Sequence, residues 1–495
     1  MPTKKVHDVP VLVIGAGPAG LTTAITLARY GVRCLLVERR PALSGLPRAT
    51  AVSTRTMEIV RSWGLEPQVR AGEVEVEWDA WIAETMSSDR GVAMPLGFPT
   101  REEAARVSPT RPACVAQDHL EPVLLDHLRS LPSADVRFGL ELTAVDQDPD
   151  GVTAALREPS TGRMTLVRAS YLVAADGAHS TVRALLGIPM EGPEDLVGHS
   201  TVQFRAPLWA LLGARRHGLY VVTHPDAPGI VVPLGAGDRW LYGQELAPGQ
   251  GHLTGPDDPR IPPLLRAATG VPDLAPQVER VGRFSFAAQT ASRYREQHAF
   301  LVGDAAHRVT PRGGTGMNTA VHDGHDLGWK LAWVARGWAA PALLDSYGTE
   351  RRPVGLHNTA RSADPDGSRR DAEDGLAVDL GGRLPHAWLA GSRGTSTLDL
   401  VGAGLALLTD AAGERWAQAV APGAVPLDIR TVDDAAADLL GIRGGGAVLV
   451  RPDARPVATW STAVADPAAA VRAAVAGLTG AAEAPGVLEP QRLAG

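Results

Sequence analysis

An α/β fold of mixed α+β character is predicted for this chain, and three observations carry the prediction. Val9–Ile14 is a continuous apolar run that leads into Gly15-Ala-Gly-Pro-Ala-Gly20 and then into a helical pattern, the order of a Rossmann-type strand, turn and helix. Three more apolar runs, Val32–Val37, Tyr171–Ala175 and Ala299–Val302, each stop at an acid: Glu38, Asp176 and Asp304. Open parallel sheets hold ligands beyond the carboxyl ends of their strands, so these acids point to one ligand gripped by several loops. From about 195 to 290 the texture changes to short alternating runs, which read as a second, antiparallel sheet.

At 495 residues the chain is too long for a single core, and its length suggests about three domains. The net charge of −7 and the lack of any basic block argue against nucleic acid as a partner. Lys4, Lys5 and Lys330 are the only lysines among 48 basic residues, which reads as a coding bias rather than a functional signal. Cys34 and Cys114 stand alone, so neither a disulfide framework nor a CxxC redox or zinc site is expected, and the chain reads as cytoplasmic. Val9–Ala28 carries no charged side chain, but Pro10, Gly15, Gly17, Pro18 and Gly20 interrupt it. A strand, turn and helix explains it better than a signal peptide or a membrane span, and no membrane partner is expected.

In chain order, Leu21–Tyr30 continues as a helix closed by Gly31, and Val32–Val37 is the next strand. With Glu38 at this spacing the segment is a dinucleotide fingerprint. Gly15, Gly17 and Gly20 allow the tight turn and the close approach of backbone to pyrophosphate, and Glu38 accepts ribose hydroxyls. Arg39, Arg40 and Arg48 follow; their forks suit a pyrophosphate, or they are simply solvated. Gln117–Leu131 reads as a helix, and Val136–Leu142 and Val152–Leu156 as strands around the turn Asp148–Gly151. His179, Ser180, Thr181 and Arg183 open a helix after Asp176.

The second sheet takes Ser200–Arg205, Leu219–Thr223, Gly229–Pro233, Trp240–Gly243 and Arg283–Phe286, with Trp78–Ile82 a candidate addition. It either walls a pocket, with Tyr220 and Tyr242 as candidate substrate contacts, or merely packs on the first domain. After Gly303-Asp304 comes a loop with Pro311, Gly313, Gly314 and Gly316. Met317, Ala320, Val321, Gly324, Leu327, Gly328, Leu331 and Ala335 then mark one buried helix face. A glycine loop opening a helix offers free N–H groups and a positive dipole end to an electron-rich group. Otherwise it is a tight turn without a ligand. Arg361–Asp379 reads as a polar linker. Beyond it Ala447–Val450 is a strand and Asp466–Leu478 a helix, with no catalytic constellation in 380–495.

Gly15–Gly20 with Glu38, Asp176-Gly177, and Gly303-Asp304-Ala-Ala-His307 with Pro311–Asn318 together resemble the single-component FAD-dependent aromatic hydroxylases, of p-hydroxybenzoate hydroxylase-like fold, over about residues 8–360. Gly314–Ala320 through Leu327–Leu331, and Ser346-Tyr347 through Glu350–Pro353, resemble the branch acting on aromatic polyketides. Pro385–Trp388, Ser396–Asp399 and Val448–Asp453 are similar to that branch's thioredoxin-like domain, here without its cysteines. The resemblance implies a Rossmann-type FAD-binding domain over 1–190 and 291–375, with about 70–105 lent to an antiparallel substrate domain at 191–290. A thioredoxin-like domain would follow at 380–495. It also implies non-covalent FAD, NADPH or NADH as electron donor, O₂, and a small polycyclic aromatic substrate, in a monomer or homodimer.

Carried over by residue, Glu38 would bind the adenosine ribose, Arg48 the flavin side of the pocket, Gln117 the ribityl region and Asp304 a ribityl hydroxyl. Gly316, Met317 and Asn318 would donate to the flavin pyrimidine edge, within a motif that includes Pro311 and Gly314. Asp176 and Arg183 would support the pyrophosphate and the nicotinamide approach, and His307 would be structural. The Trp-x-Trp-x-Ile-Pro signature of flavin halogenases is absent.

The activity so implied is hydroxylation of a polyketide phenol or quinone in antibiotic biosynthesis, through a flavin C4a-hydroperoxide formed from NADPH-reduced FAD and O₂. A base or arginine that lowers the substrate pKa would help, but no side chain is assigned that role from sequence, and none is assigned as nucleophile or metal ligand. Baeyer–Villiger oxygenation of a polyketide ketone, and a flavin-bound protein that sequesters a polyketide without turnover, are the rival readings.

Overall fold

In the computed structural model, residues 6–246, 251–390, 394–419 and 423–480 are described; the end of the expected C-terminal domain, 481–495, lies outside them. By its contacts the chain divides into two compact units, one of 1–328 with 347–382 and one of 329–346 with 383–495. The first unit holds two sheets.

The centre of the first sheet is the strand Val6–Ile14, flanked in parallel by Cys34–Glu38 on one side and Met164–Ala174 on the other. Ala299–Leu301 extends the parallel order beyond Met164–Ala174, and Ala134–Phe138 extends it beyond Cys34–Glu38. Its central position explains the uniformly apolar run: Val11, Leu12 and Val13 have no exposure. Helix α1 (Pro18–Arg29) follows the first strand and buries every residue from Ala19 to Ala28. The segment expected as one strand, Val136–Leu142, is two. Gly139, at φ +73°, ends Ala134–Phe138, and Glu141–Asp148 then pairs antiparallel with Gly151–Arg157.

The second sheet runs in the order Gln277–Ser285, Gly198–Arg205, Arg239–Glu245, Gly229–Pro233, His217–Val222, Glu77–Ala83 and Gly91–Pro95. Only the pair between His217–Val222 and Glu77–Ala83 is parallel. Alternation divides its side chains cleanly. Val202, Phe204, Tyr220, Val222, Val231, Trp240 and Tyr242 form one face and pack with Ile261 and Leu265 of the helix Ile261–Thr269 into a closed core. Burial of each large apolar side chain on this face contributes about 1.5–3 kcal/mol. The opposite face carries Gln203, Leu219, Val221, Ile230, Val232 and Leu241, all half-buried.

Four helices matter for the site. Helix α2 (Thr54–Ser62) is N-capped by Ser53. Helix α3 (Gly316–Ala335) opens after the glycine loop, and α4 (Asp345–Ala363) follows. Residues 361–379, expected as a linker, instead finish α4 and form α5 (Ala372–Leu380). Asp379 on α5 accepts the main-chain N–H of Arg55 on α2 at 2.9 Å.

In the second unit, Leu405–Thr409 is wholly buried. It pairs in parallel with Leu427–Thr431 and antiparallel with Ala447–Val450, which pairs antiparallel with Pro456–Trp460. With the helices Asp434–Leu439 and Pro467–Thr479 this is the expected thioredoxin-like arrangement, and it contains no cysteine. Among the described residues no helix is long and apolar enough to cross a membrane.

Candidate functional site: a nucleotide groove facing a half-buried sheet

The turn after the first strand is built around backbone contacts that no side chain could share. Gly15 has φ +107°, and a Cβ there would lie 2.3 Å from the Ala175 carbonyl oxygen. A Cβ at Gly17 would meet no protein atom within 4 Å. The space over Gly17 is therefore open, next to the N-terminus of α1, which has no side-chain cap. Glu38 steadies the turn. Its Oε2 accepts from Ala16 N and its Oε1 from Arg40 N, each at 3.0 Å. Each oxygen keeps lone-pair capacity for a ribose hydroxyl. Arg39 and Arg48 are exposed.

The middle motif braces rather than reaches. Both Asp176 carboxylate oxygens are engaged at the short helix Thr181–Leu185, by Ser180 Oγ and by Val182 N. Burial pushes the Asp176 carboxyl up, against the hydrogen bonds that favour its charge. Arg183 donates to the carbonyl oxygens of Ala305, at 3.0 Å, and Ala178, at 3.2 Å, tying this motif to the loop after Gly303. Gln117 is buried, with its amide turned to Glu121 at 2.7 Å.

Asp304 stands at the end of the Ala299–Leu301 strand, and its carboxylate has no hydrogen-bond partner among the described residues. Solvent reaches it, yet the enclosing groove pushes its carboxyl up, opposed by His307, Arg48 and Arg308. Beneath it lies a buried cluster. Asp323 of α3 accepts from His307 Nε2 at 2.6 Å, Arg351 Nε at 2.7 Å and Gly303 N at 3.2 Å. This cluster pins the Gly303–His307 loop to α3 and α4, so His307 serves structure. Close helix packing sets the loop's place: a Cβ at Gly324 of α3 would lie 2.5 Å from the Ala19 carbonyl oxygen of α1. The two helices are in contact there.

At the start of α3 the first intrahelical bond is Thr319 N to Thr315 O, 2.8 Å. The N–H groups of Gly316, Met317 and Asn318 precede it and fall among the donors a helix cannot satisfy itself. The Asn318 side chain is fully committed. Its Oδ1 accepts from Ser53 N and Thr56 Oγ1, and its Nδ2 donates to Ala51 O and Gly314 O. What Asn318 can offer a ligand is its main-chain N–H.

The glycine loop approaches the second sheet at two points. Toward one end, a Cβ at Gly314 would touch Phe98, which stacks on Trp78 at 4.8 Å between centroids. At the other, Arg312 lies 3.3 Å from Glu245 and over the Phe286 ring; Pro311 is exposed between them and the preceding strand. Tyr220 and Tyr242, expected as substrate contacts, are on the other face. Both have no exposure, and their hydroxyls donate to Arg215 O and Pro228 O. They are core residues. Tyr242→Phe is expected to cost about 0.5–1.5 kcal/mol in a denaturant titration while leaving turnover within a factor of two. Among the residues the sequence did not single out, Asp323, Arg351, Phe98, His199, Glu245 and Arg312 shape this region. Asp323, an acid among apolar positions of α3, was the one legible signal.

An extended dinucleotide bearing a flavin fits these residues: an open cradle at Gly17, two helix N-termini with free N–H groups, and an unpartnered Asp304 between them. The comparisons agree. Residues 8–362 match an FAD binding domain family and residues 378–482 an aromatic-ring hydroxylase C-terminal family. A putative polyketide hydroxylase of Streptomyces halstedii is 36% identical over 90% of this chain and 92% of its own. The tetracenomycin B2 monooxygenase-dioxygenase of Streptomyces olivaceus is 34% identical over 93% of this chain and 97% of its own. The crystal structure of an aklavinone-11 hydroxylase with FAD and aklavinone superposes with a TM-score of 0.86 at 33% identity, covering 96% of this chain and 99% of that one.

Proposed function

The chain belongs to the FAD-binding aromatic-ring hydroxylases, and on that premise we propose that it is an FAD- and NAD(P)H-dependent monooxygenase that hydroxylates a polycyclic aromatic polyketide in antibiotic biosynthesis. The observation that carries this reading is the nucleotide groove set against a half-buried apolar sheet face across the Pro311–Gly314 loop. The similar proteins named above act on aromatic polyketides, which supports the substrate class.

Bound FAD would supply the redox chemistry, taking electrons from NADPH or NADH and activating O₂. The protein's own work is to bind, orient and exclude water. The α1 N-terminus would receive the pyrophosphate, Glu38 the ribose and Asp304 a ribityl hydroxyl. The free N–H groups of Gly316, Met317 and Asn318 would lie against the pyrimidine edge, where the positive end of α3 favours negative charge. Leu219, Val221, Ile230, Val232 and Leu241 offer a flat apolar wall to a polycyclic ring.

Titrating apo-protein with FAD tests the assignments. Asp304→Ala and Glu38→Ala are each expected to weaken binding by about 1.5–3 kcal/mol, roughly 10- to 150-fold. Unchanged dissociation constants in both would contradict them. Product connectivity tests the reaction, with a new hydroxyl on a ring carbon expected rather than an inserted ester oxygen.

A further inference from the structure

The half-buried sheet face is apolar at its centre, over Leu219, Val221, Ile230, Val232 and Leu241, and polar toward the ends of its strands, with Gln203, Arg205 and Arg239 toward one end and His199 and Glu245 at the other. There His199 and Glu245 stand opposite each other in register, and Arg312 reaches across from the glycine loop. Two nitrogens converge on a single oxygen: Arg312 Nη2 lies 3.3 Å, and His199 Nε2 3.6 Å, from Glu245 Oε1. Phe286 floors the cluster. His199 stacks on it with centroids 3.8 Å apart, and the Arg312 guanidinium lies 5.5 Å from its centroid.

The three members differ in how they are held. The side chains of His199 and Arg312 are 8% and 18% exposed, whereas that of Glu245, at the end of its strand, is 58% exposed. Of the three side chains, Glu245 is the one that solvent already reaches. His199 Nδ1 lies 3.2 Å from the Val197 carbonyl oxygen, which places the ring proton on Nδ1 and leaves Nε2 as an acceptor. Burial lowers the His199 pKa; the Val197 carbonyl and Glu245 oppose this, and Arg312 adds to it. Phe284 and Phe286 are its remaining ring neighbours. A buried imidazole and a guanidinium thus flank a point filled by an oxygen of the most exposed side chain of the three.

We propose that this point is the subsite for the ionising hydroxyl of the aromatic substrate, with His199 accepting its proton and Arg312 holding the phenolate. The substrate oxygen takes the place of Glu245 Oε1. Its O–H bond breaks, an N–H bond forms at His199 Nε2, and the electron pair stays on the oxygen against Arg312, with no change of oxidation state. A phenolate makes the ring more electron-rich, which the proposed hydroxylation needs. The inference rests on the reading of the protein as a hydroxylase of phenolic substrates. The competing explanation is that Arg312 and Glu245 form a latch that only fastens the loop to the sheet.

The test uses the FAD-loaded full chain and alizarin, a polycyclic phenol whose absorption reddens when it ionises. Wild-type protein is expected to bind the dye as phenolate at a pH where the free dye is still neutral. Arg312→Gln should weaken that binding about tenfold, and Arg312→Lys should recover part of it. Glu245→Gln should tighten binding roughly threefold, because a competing anion is gone. His199→Gln should raise the pH at which the bound dye ionises. The flavin spectrum checks that each variant is intact, and Arg312→Lys carries the comparison if Arg312→Gln loses FAD. A latch predicts instead that Glu245→Gln and Arg312→Gln weaken binding alike; that result, or dye bound only in neutral form, overturns the proposal and leaves the hydroxylase reading standing. If wild-type protein does not bind the dye and no polycyclic phenol accelerates its NADPH oxidation, both fail.

Discussion

Gly15→Val is expected to yield protein that retains no FAD and purifies colourless. Two effects act together. The backbone at Gly15 sits at φ +107°, a conformation that costs a non-glycine residue about 1–3 kcal/mol and a β-branched one at least that. Its Cβ would also fall 2.3 Å from the Ala175 carbonyl oxygen, so the turn must move away from the Tyr171–Ala174 end of the neighbouring strand. Gly17→Ala separates the fold from the ligand. A methyl there meets no protein atom within 4 Å, so stability should hold while FAD affinity falls. Absorbance of the purified variants and melting with and without added FAD check both. Full FAD retention by Gly15→Val would remove the Gly15–Gly20 turn from the cofactor site.

Asp323→Asn is expected to lower stability by about 3–5 kcal/mol, the usual loss when one member of a buried charge pair is removed. Asp323 has no exposure and Arg351 is 5% exposed, so the buried guanidinium would lose its hydrogen-bonded counter-charge and keep only the field of Asp326. FAD should also dissociate faster, because the loop carrying Asp304 is fastened through Gly303 N and His307 to this carboxylate. Burial pushes the Asp323 carboxyl up, but Arg351 and His307 outweigh it and hold it below its ordinary value. Its stabilisation is therefore present above the unfolded carboxyl pKa, about 3.9, and is lost as pH falls through the lower folded value. The wild type should lose stability in acid more steeply than the variant. Equal acid titrations of unfolding would show that Asp323 carries no such charge.

The parts of the site that could be read from the sequence are the local ones. The turn Gly15–Gly20 with Glu38, and the run from Gly303 through the start of α3, each complete a strand, a loop and a helix within a few tens of residues. Their geometry follows from backbone rules that the glycines and the strand ends announce. Sheet facing was not local. Tyr220 and Tyr242 share a face by alternation, but Leu219, Val221 and Leu241 on the other face are also apolar, so alternation alone could not say which face was core. The helix Ile261–Thr269 decided it by covering one side. The His199, Glu245 and Arg312 cluster joins two strands and a loop far apart in the chain, and no spacing signals it. Residues 361–379 misled for a different reason. The polar run Arg361–Asp371 ahead of α5 resembled a linker, and α5 itself docks through a main-chain bond to Asp379 and a buried Gly375, which no apolar stripe announces.

The two sheets of the first unit explain why one chain needs both. The parallel sheet presents strand ends and helix N-termini, which suit phosphates and a polarised ring edge but offer little apolar area. The antiparallel sheet presents a broad face that alternation can leave apolar and half-buried, which suits a flat substrate. The Pro311–Gly314 loop meets the second sheet directly at Arg312, against Glu245, and lies beside Phe98, which stacks on Trp78 of that sheet. The proposed placement of substrate against cofactor would therefore rest on a single short segment.

The measurement that bears most directly on the monooxygenase reading is oxygen labelling during substrate-stimulated NADPH oxidation. FAD-loaded protein would be given NADPH, a polycyclic hydroxyquinone and ¹⁸O₂ in unlabelled water, with product mass and NADPH loss followed together. The account predicts that the aromatic compound accelerates NADPH oxidation and that the hydroxylated product carries one oxygen atom from ¹⁸O₂. Product oxygen drawn from water, or tight binding of the aromatic compound with no acceleration and no product, would contradict it.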